Sequence, residues 1–324
     1  MEKYDQLFSP MPRSPEAPKP RCSHAPKPRS PDAPMPRSPS SKIQPFKVSQ
    51  FKTDLAMSCF SSSNDFLEGT VCIWQIELSE SVDVTPYLPM LSAEERERAA
   101  RFRFHRDRCF YVLAHAGLRQ ILAGYLNIPA PKITFVRQER GKPQLAGGFQ
   151  ETGIQFNLSH TQNLALVAVA KDTPVGIDVE KLRPMKDLRR LSERFFTAAE
   201  AQAIANLPSE QQQQAFFEIW TCKEAYLKGM GCGLAGALNR VEVSVAPQEA
   251  TKIQRLDGVV AADSPWQIQA VCLPGGYVGA VAIRYGTRQH ITYHALDTQL
   301  NPIPATCPVP KALPASDAYP RDWW

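Results

Sequence analysis

Asp178-Val179-Glu180 closes an apolar run, Val175–Glu180, with the length and make-up of a β-strand. In a strand, residues i and i+2 point to one side. Asp178 and Glu180 would therefore present two carboxylates on one face, with Val179 turned into the core. Like charges this close repel unless a cation neutralises them. A hard divalent cation does so through oxygen ligands, and Mg²⁺ commonly takes one or two carboxylates together with phosphates and water. The plainer alternative is a solvated strand end beside Lys181.

Trp220, Glu224 and Lys228 recur every four residues in a helical stretch, Gln213–Met230, that runs into Gly229, Gly231 and Gly233. A carboxylate and an ammonium one turn apart can be a surface pair worth about 0.3–0.5 kcal/mol. A large aromatic in the same row better fits the wall of a pocket. Ser159 and His160, in Phe156-Asn157-Leu158-Ser159-His160-Thr161, are placed by the sequence at a turn between two strands. They lack the GxSxG setting of a nucleophile, and a hydroxyl with an imidazole suits a phosphate. Arg140-Gly141-Lys142-Pro143 reads as a loop in which Gly141 admits a ligand to the backbone, Lys142 supplies a point charge and Pro143 stiffens the chain. The GxxxxGK[ST] pattern of a P-loop is absent. Arg96, Arg98, Arg101, Arg103, Arg106 and Arg108 crowd one helical region, offset by Glu94, Glu95, Glu97 and Asp107. A solvated face is the default for these. His290 and His294 share a strand face without an evident third metal ligand.

Elements must bring these residues together. Val71–Ile76 reads as a strand. Ser92 N-caps a helix with Glu95 at its third position, a capping box. A second helix runs about Asp107–Leu126, with Val112, His115, Leu118, Leu122 and Tyr125 at helical spacing. Strands follow at Lys132–Arg137, Gly153–Asn157, Leu164–Ala170 and Val175–Glu180. Helices come next at Met185–Phe195, Ala198–Asn206 and Gln213–Met230. Strands return at Arg240–Val245, Trp266–Cys272 and Tyr277–Arg284. Each half runs helices first and strands after. The reading is an α+β body of two similar subdomains, 66–174 and 175–290, flanked by an arm at 1–50 and a tail at 301–324.

Those flanks are set apart by proline: 12 of the 29 prolines fall in residues 1–50. The arm repeats an octapeptide: SPMPRSPE (9–16), APKPRCSH (17–24), APKPRSPD (25–32) and APMPRSPS (33–40). Such units bury almost no apolar surface, so polyproline II or disorder is expected for the arm and the tail. A passive tail, a ligand for SH3-like domains and a translation start at Met57 are the readings of the arm. The chain of 324 residues carries a net charge of +5, of which +4 sits in residues 9–40. A nearly neutral body gives no reason for nucleic-acid binding. No apolar run approaches the ~20 residues of a membrane span, and the first residues lack a secretory signal. Cys22, Cys59, Cys72, Cys109, Cys222, Cys232, Cys272 and Cys307 form no CxxC pair. Reduced thiols in a cytoplasmic protein are expected.

In order, SAEERERAARFRFHRD, RGKPQL, FNLSHT, VGIDVEKL, RFFTAAE and FFEIWTCKEAYLKGMGCGL resemble the surfactin-synthase-activating (Sfp-like) 4′-phosphopantetheinyl transferases, from about Ser92 to Leu234. GIDVE followed some 40 residues later by WTxKEAxxK carries most of the specificity. The resemblance implies two subdomains in a pseudo-twofold arrangement with the site at their interface. It implies transfer of 4′-phosphopantetheine from coenzyme A (CoA) to a serine of an acyl or peptidyl carrier protein, with release of 3′,5′-ADP. The carrier would belong to fatty-acid, polyketide or nonribosomal-peptide synthesis.

By the same resemblance, Asp178, Glu180 and Glu224 would hold Mg²⁺ against the diphosphate. Lys228 would stabilise charge on the leaving group, and Glu224, directly or through a water, would be the base. Ser159 and His160 would face the phosphates, His160 near the 3′-phosphate, and Gly141, Lys142 and Pro143 the adenine; Arg98, with Arg106 or Arg108, would add phosphate charge, and Lys223 would serve the phosphates or the carrier. One departure stands out: Glu95 occupies a position where the surfactin-type relative carries Lys, and Phe110 and Tyr111 stand where polar phosphate contacts are common. A monomer is expected. The competing readings are a non-catalytic carrier-binding module, which a missing acidic ligand would favour, and an interaction protein defined by its arm.

Overall fold

The computed structural model describes residues 69–139, 141–232, 238–244, 253–256, 259–260, 264–284 and 290–305. The arm at 1–50, most of the 301–324 tail, Arg140 and Gly233 lie outside them. In chain order the elements are β1 (Thr70–Glu77), α1 (Ala93–Ala100), α2 (His105–Leu126), β2 (Phe135–Arg137), β3 (Pro143–Leu145), β4 (Ile154–Thr161), β5 (Leu164–Lys171) and β6 (Val175–Lys181). Then follow α3 (Leu188–Phe195), α4 (Ala198–Asn206), α5 (Ser209–Met230), β7 (Val241–Val243), β8 (Ile253–Leu256), β9 (Val259–Val260), β10 (Trp266–Ala270), β11 (Tyr277–Arg284), β12 (His290–Leu296) and β13 (Pro302–Ile303).

This is a mixed α+β architecture built on two main sheets. The first has the order β13-β12-β1-β5-β4, the second β10-β11-β6. Within the first, β12 runs parallel to β1 while β5 pairs antiparallel with both β1 and β4. Alternation along the strands assigns each face. Trp74, Ile76, Val167 and Val169 pack with Val112, Leu118, Ile121 and Leu122 of α2. The opposite face, with Val71, Ile73, Leu166 and Ala168, packs on Val175, Ile177, Val179, Val281 and Ile283 of the second sheet. Helix α5 covers the remaining face of that sheet along β6 and β11. The order of layers is helix, sheet, sheet, helix.

Two strand expectations change. The run Lys132–Arg137 is a strand only from Phe135, because Pro131 sits at the start of a 3₁₀ turn, Ala130–Lys132. Proline fixes φ and removes a ladder donor. Conversely, Ser159-His160-Thr161 is strand rather than turn. The apolar β5 pairs with β4 as far as Thr161 opposite Leu164, leaving a two-residue connection with Gln162 at φ 44°.

The departure at Glu95 has a structural cause. Glu95 closes the capping box with Ser92 and accepts from Arg119 Nε at 2.7 Å. Buried Arg119 also donates to the carbonyls of Ala130 and Ile133. The carboxylate thus anchors α1 on α2. Cys72, Cys109, Cys222 and Cys232 are free thiols, whereas Cys272 is disulfide-bonded, against the expectation of reduced thiols throughout. Among the described residues no helix is long and apolar enough to cross a membrane.

Candidate active site

The site starts from how closely α5 can approach β6. A Cβ on Gly176 would lie 2.1 Å from the Ala225 carbonyl oxygen and 2.3 Å from Gly229 N. Helix and strand therefore touch backbone to backbone there, which only glycine permits. Helix α5 ends at Gly231, whose φ of 69° suits a left-handed C-cap, with Cys232 N donating to the Leu227 carbonyl. Val175, Ile177 and Val179 fill the inter-sheet core. By alternation Asp178 and Glu180 face α5, as the sequence spacing requires.

Three elements converge at Asp178. Lys228 Nζ of α5 donates to Asp178 Oδ1 at 2.6 Å, to Ser159 Oγ of β4 at 2.9 Å and to the Ile177 carbonyl at 3.4 Å. Ser159 Oγ donates to the same Asp178 Oδ1 at 2.8 Å. Glu180 meets Arg183 at 3.4 Å and Thr161 Oγ1 at 3.5 Å. Glu224, one turn before Lys228, is fully buried, as is Asp178, and Glu180 is 3% exposed. Three carboxylates on facing surfaces away from water are costly without cations beside them. Hard oxygen donors are what Mg²⁺ takes. Even so, among the described residues no three His, Cys, Asp or Glu gather closely enough to hold a metal ion, and Asp178 is held by Lys228 instead.

Lys142 belongs to the same neighbourhood. The loop joining β2 and β3 is pinned by Gly141 N to the Gln138 carbonyl and by Gln138 N to the Lys142 carbonyl. From it Lys142 Nζ reaches the carbonyls of Val175 at 3.1 Å and Gly229 at 3.0 Å. It thereby ties the loop to the start of β6 and the end of α5, where a cation meets the negative end of the helix dipole. Burial lowers its ammonium pKa to about 8.

Lys223 is turned away from Asp178 and Glu180. Its side chain is fully buried, pairs with Glu200 at 2.5 Å and donates to the Leu238 carbonyl at 3.0 Å. Adjacent helical residues point about 100° apart, so the face that turns Glu224 toward β6 turns Lys223 toward α4. Trp220 shares the row of Glu224 and Lys228, but its ring lies among Phe195, Phe196 and Phe216 instead of lining a pocket. Asn157, Gly176 and Arg183 are site neighbours that sequence reasoning did not single out. A glycine inside an apolar strand was the available signal for Gly176.

Two family models match the chain. The one described as 4′-phosphopantetheinyl transferase superfamily covers residues 174–282, and the one described as 4′-phosphopantetheinyl transferase, N-terminal, covers 78–172. The 4′-phosphopantetheinyl transferase HetI of Nostoc sp. is 39% identical over 218 residues, 67% of this chain and 89% of the relative. The chain belongs to the 4′-phosphopantetheinyl transferase superfamily. The 4′-phosphopantetheinyl transferase psf-1 of Bacillus pumilus is 33% identical over 196 residues, 60% of this chain and 80% of the relative. The human L-aminoadipate-semialdehyde dehydrogenase-phosphopantetheinyl transferase is 31% identical over 165 residues, 48% of this chain and 53% of the relative. As a transferase of this family, the chain is an enzyme that moves 4′-phosphopantetheine to carrier proteins.

The transferase's remaining candidates lie at its surface. His160 is exposed at the end of β4. Arg106 is exposed and pairs with Asp107 at 3.1 Å. The exposed Arg98 holds its guanidinium 5.5 Å from the Tyr111 ring centroid. Tyr111 and Phe110 are buried, and Tyr111 stacks on His115 with ring centroids 3.9 Å apart. Burial pushes the Tyr111 phenol up to about 12 and His115 down to about 4. The Phe110 and Tyr111 side chains are part of the core.

Proposed function

We propose that the transferase takes the CoA diphosphate where β6 faces the C-terminal half of α5, and passes the phosphopantetheine to a carrier serine there. The observation that carries this is Lys228, which reaches Asp178 of β6 and Ser159 of β4 at once. In this reading Asp178, Glu180 and Glu224, which do not gather on one point in this structure, would hold Mg²⁺ together with diphosphate oxygens of CoA. The donor chemistry supports that, with three carboxylates buried along facing surfaces. Mg²⁺, when bound, neutralises diphosphate charge and orients the phosphorus under attack.

The chain's own groups do the rest. Phosphoryl transfer asks chiefly for positioning and for neutralisation of spread negative charge. Lys228 lies next to Asp178 and Ser159, and its ammonium compensates charge on departing 3′,5′-ADP. Ser159 and His160 offer donors to phosphate oxygens, with His160 toward the 3′-phosphate and Arg98 and Arg106 adding charge there. Gly141, Lys142 and Pro143 border the adenine; beside Gly141 there is open space where a side chain would stand. The carrier serine must lose its proton as it attacks, and Glu224, directly or through a water, accepts it.

We further infer the surfactin-synthase-activating type, with subdomains 66–174 and 175–290 about a pseudo-twofold axis, acting as a cytoplasmic monomer on an acyl or peptidyl carrier. What supports the two-subdomain reading is that each half opens on a strand, β1 or β6, passes through helices and returns to strands, and that the two family matches divide near residue 173. The test is incubation with CoA, Mg²⁺ and apo carriers of fatty-acid, polyketide and nonribosomal-peptide type, read by intact mass. A gain of one phosphopantetheine on a carrier, lost with EDTA and restored by Mg²⁺, is expected. No gain on any carrier would overturn the reading, and so would a gain that EDTA leaves untouched.

A further inference from the structure

We propose that Asn157 is a positioning residue for transfer, holding the Ile177 peptide and through it Asp178 and Lys228 in working geometry. The inference rests on the site proposed above.

Strands β4 and β6 lie at facing edges of different sheets. β4 has its backbone partner in β5 and β6 has its partner in β11. What joins them is a row of side chains. Asn157, Ser159 and Thr161 alternate along β4 and so point the same way. Asn157 Oδ1 accepts from Ile177 N at 2.8 Å, Ser159 Oγ donates to Asp178 Oδ1 at 2.8 Å, and Thr161 Oγ1 lies 3.5 Å from Glu180 Oε2.

Asn157 is as buried as Ser159, at 6% against 5% exposed, and of the three it is the one whose side chain takes a backbone group of β6. The N–H and C=O of one strand residue point to the same edge. At Ile177 the N–H goes to Asn157 and the carbonyl takes Lys228 at 3.4 Å. Both polar groups of that peptide edge are thus held by side chains, one from β4 and one from α5. The next residue is Asp178. A one-residue slip of β6 would turn Asp178 into the inter-sheet core and Ile177 out of it. A neutral amide fits this task, because it offers an acceptor to the buried N–H without adding charge beside Asp178.

The test uses the full-length protein, with Asn157→Leu, which keeps the shape and removes the acceptor, and Asn157→Ser, which cannot reach Ile177. Asp178→Ala is run beside them. We expect kcat per folded molecule to fall about tenfold to a hundredfold, KM for CoA to stay within about threefold of wild type, and amide exchange at Ile177 to accelerate selectively relative to Val281. If one variant does not fold, the other gives the same readouts. Wild-type kcat in a folded Asn157 variant overturns the proposal, and so does a loss of rate that tracks the unfolded fraction with exchange raised uniformly. Asp178→Ala separates the two layers: wild-type transfer there refutes the site itself, whereas its inactivity beside a fully active Asn157→Leu refutes only the positioning role.

Discussion

Replacing Lys142 by Arg or Met tests the electrostatics of the site through pH. Lys142 reaches two backbone carbonyls, and burial lowers its pKa from 10.5 to about 8. Free enzyme therefore loses this charge as pH rises through about 8. A hydrogen bond from a charged group is worth about 1.5–3 kcal/mol, so if that charge is spent on the adenine that Lys142 borders, kcat/KM for CoA should fall roughly 10- to 150-fold to a plateau above pH 9. Lys142→Arg, whose guanidinium stays charged, should stay flat across that range, and Lys142→Met should sit near the plateau at every pH. The linkage has the opposite sign for stability. Between about pH 8 and 10.5 the unfolded chain keeps a proton at Lys142 that the folded protein has lost, so folding gains up to roughly 3 kcal/mol relative to Lys142→Met as pH rises through that window. The assay is kcat/KM for CoA against pH with a carrier held saturating, beside denaturant unfolding at the same pH values. A wild-type profile that matches Lys142→Arg above pH 8 would refute the reasoning.

Three further outcomes follow from the packing. Lys228→Ala should lower kcat more than it raises KM for CoA, by about 10²-fold if the lysine meets charge that develops on the leaving group; an unchanged rate constant in single-turnover kinetics would remove that role. Gly176→Ala forces a methyl against the α5 backbone, which cannot step aside, so it should cost at least about 1–3 kcal/mol, and an unaltered melting temperature would contradict the close approach. Lys223→Ala strands Glu200 without its cation in the core and should destabilise by about 3–5 kcal/mol while leaving KM for CoA in the folded fraction unchanged; a raised KM with normal stability would return Lys223 to the ligand.

Much of this arrangement is legible in the sequence, because strand alternation and helical spacing are local. Asp178 and Glu180 share a face, with Val179 in the core as the period of two demands. Ser92 and Glu95 close the capping box that their spacing announces. What was not legible is tertiary. Ser159 looked like a turn residue because polar residues surround it, and only pairing with β5 draws it into a strand. Lys223 and Glu224 are neighbours in sequence, yet the partner of Lys223 is Glu200, on another helix. Trp220 lies in the expected row, but an aromatic cluster from α3 and α5 claims its ring. Strand β12, beyond the helical half, returns to pair with β1, a connection that no local pattern encodes.

The central claim is that Asp178, Glu180 and Glu224 act together on a divalent cation and the CoA diphosphate. Calorimetric titration of Mg²⁺ into the CoA-saturated protein tests it most directly, with wild type beside Asp178→Ala and Glu224→Ala. The account predicts saturable binding of one Mg²⁺ in the wild type, weakened at least about tenfold in each variant, with the fold intact by circular dichroism. Equal Mg²⁺ affinity in wild type and both variants would contradict it.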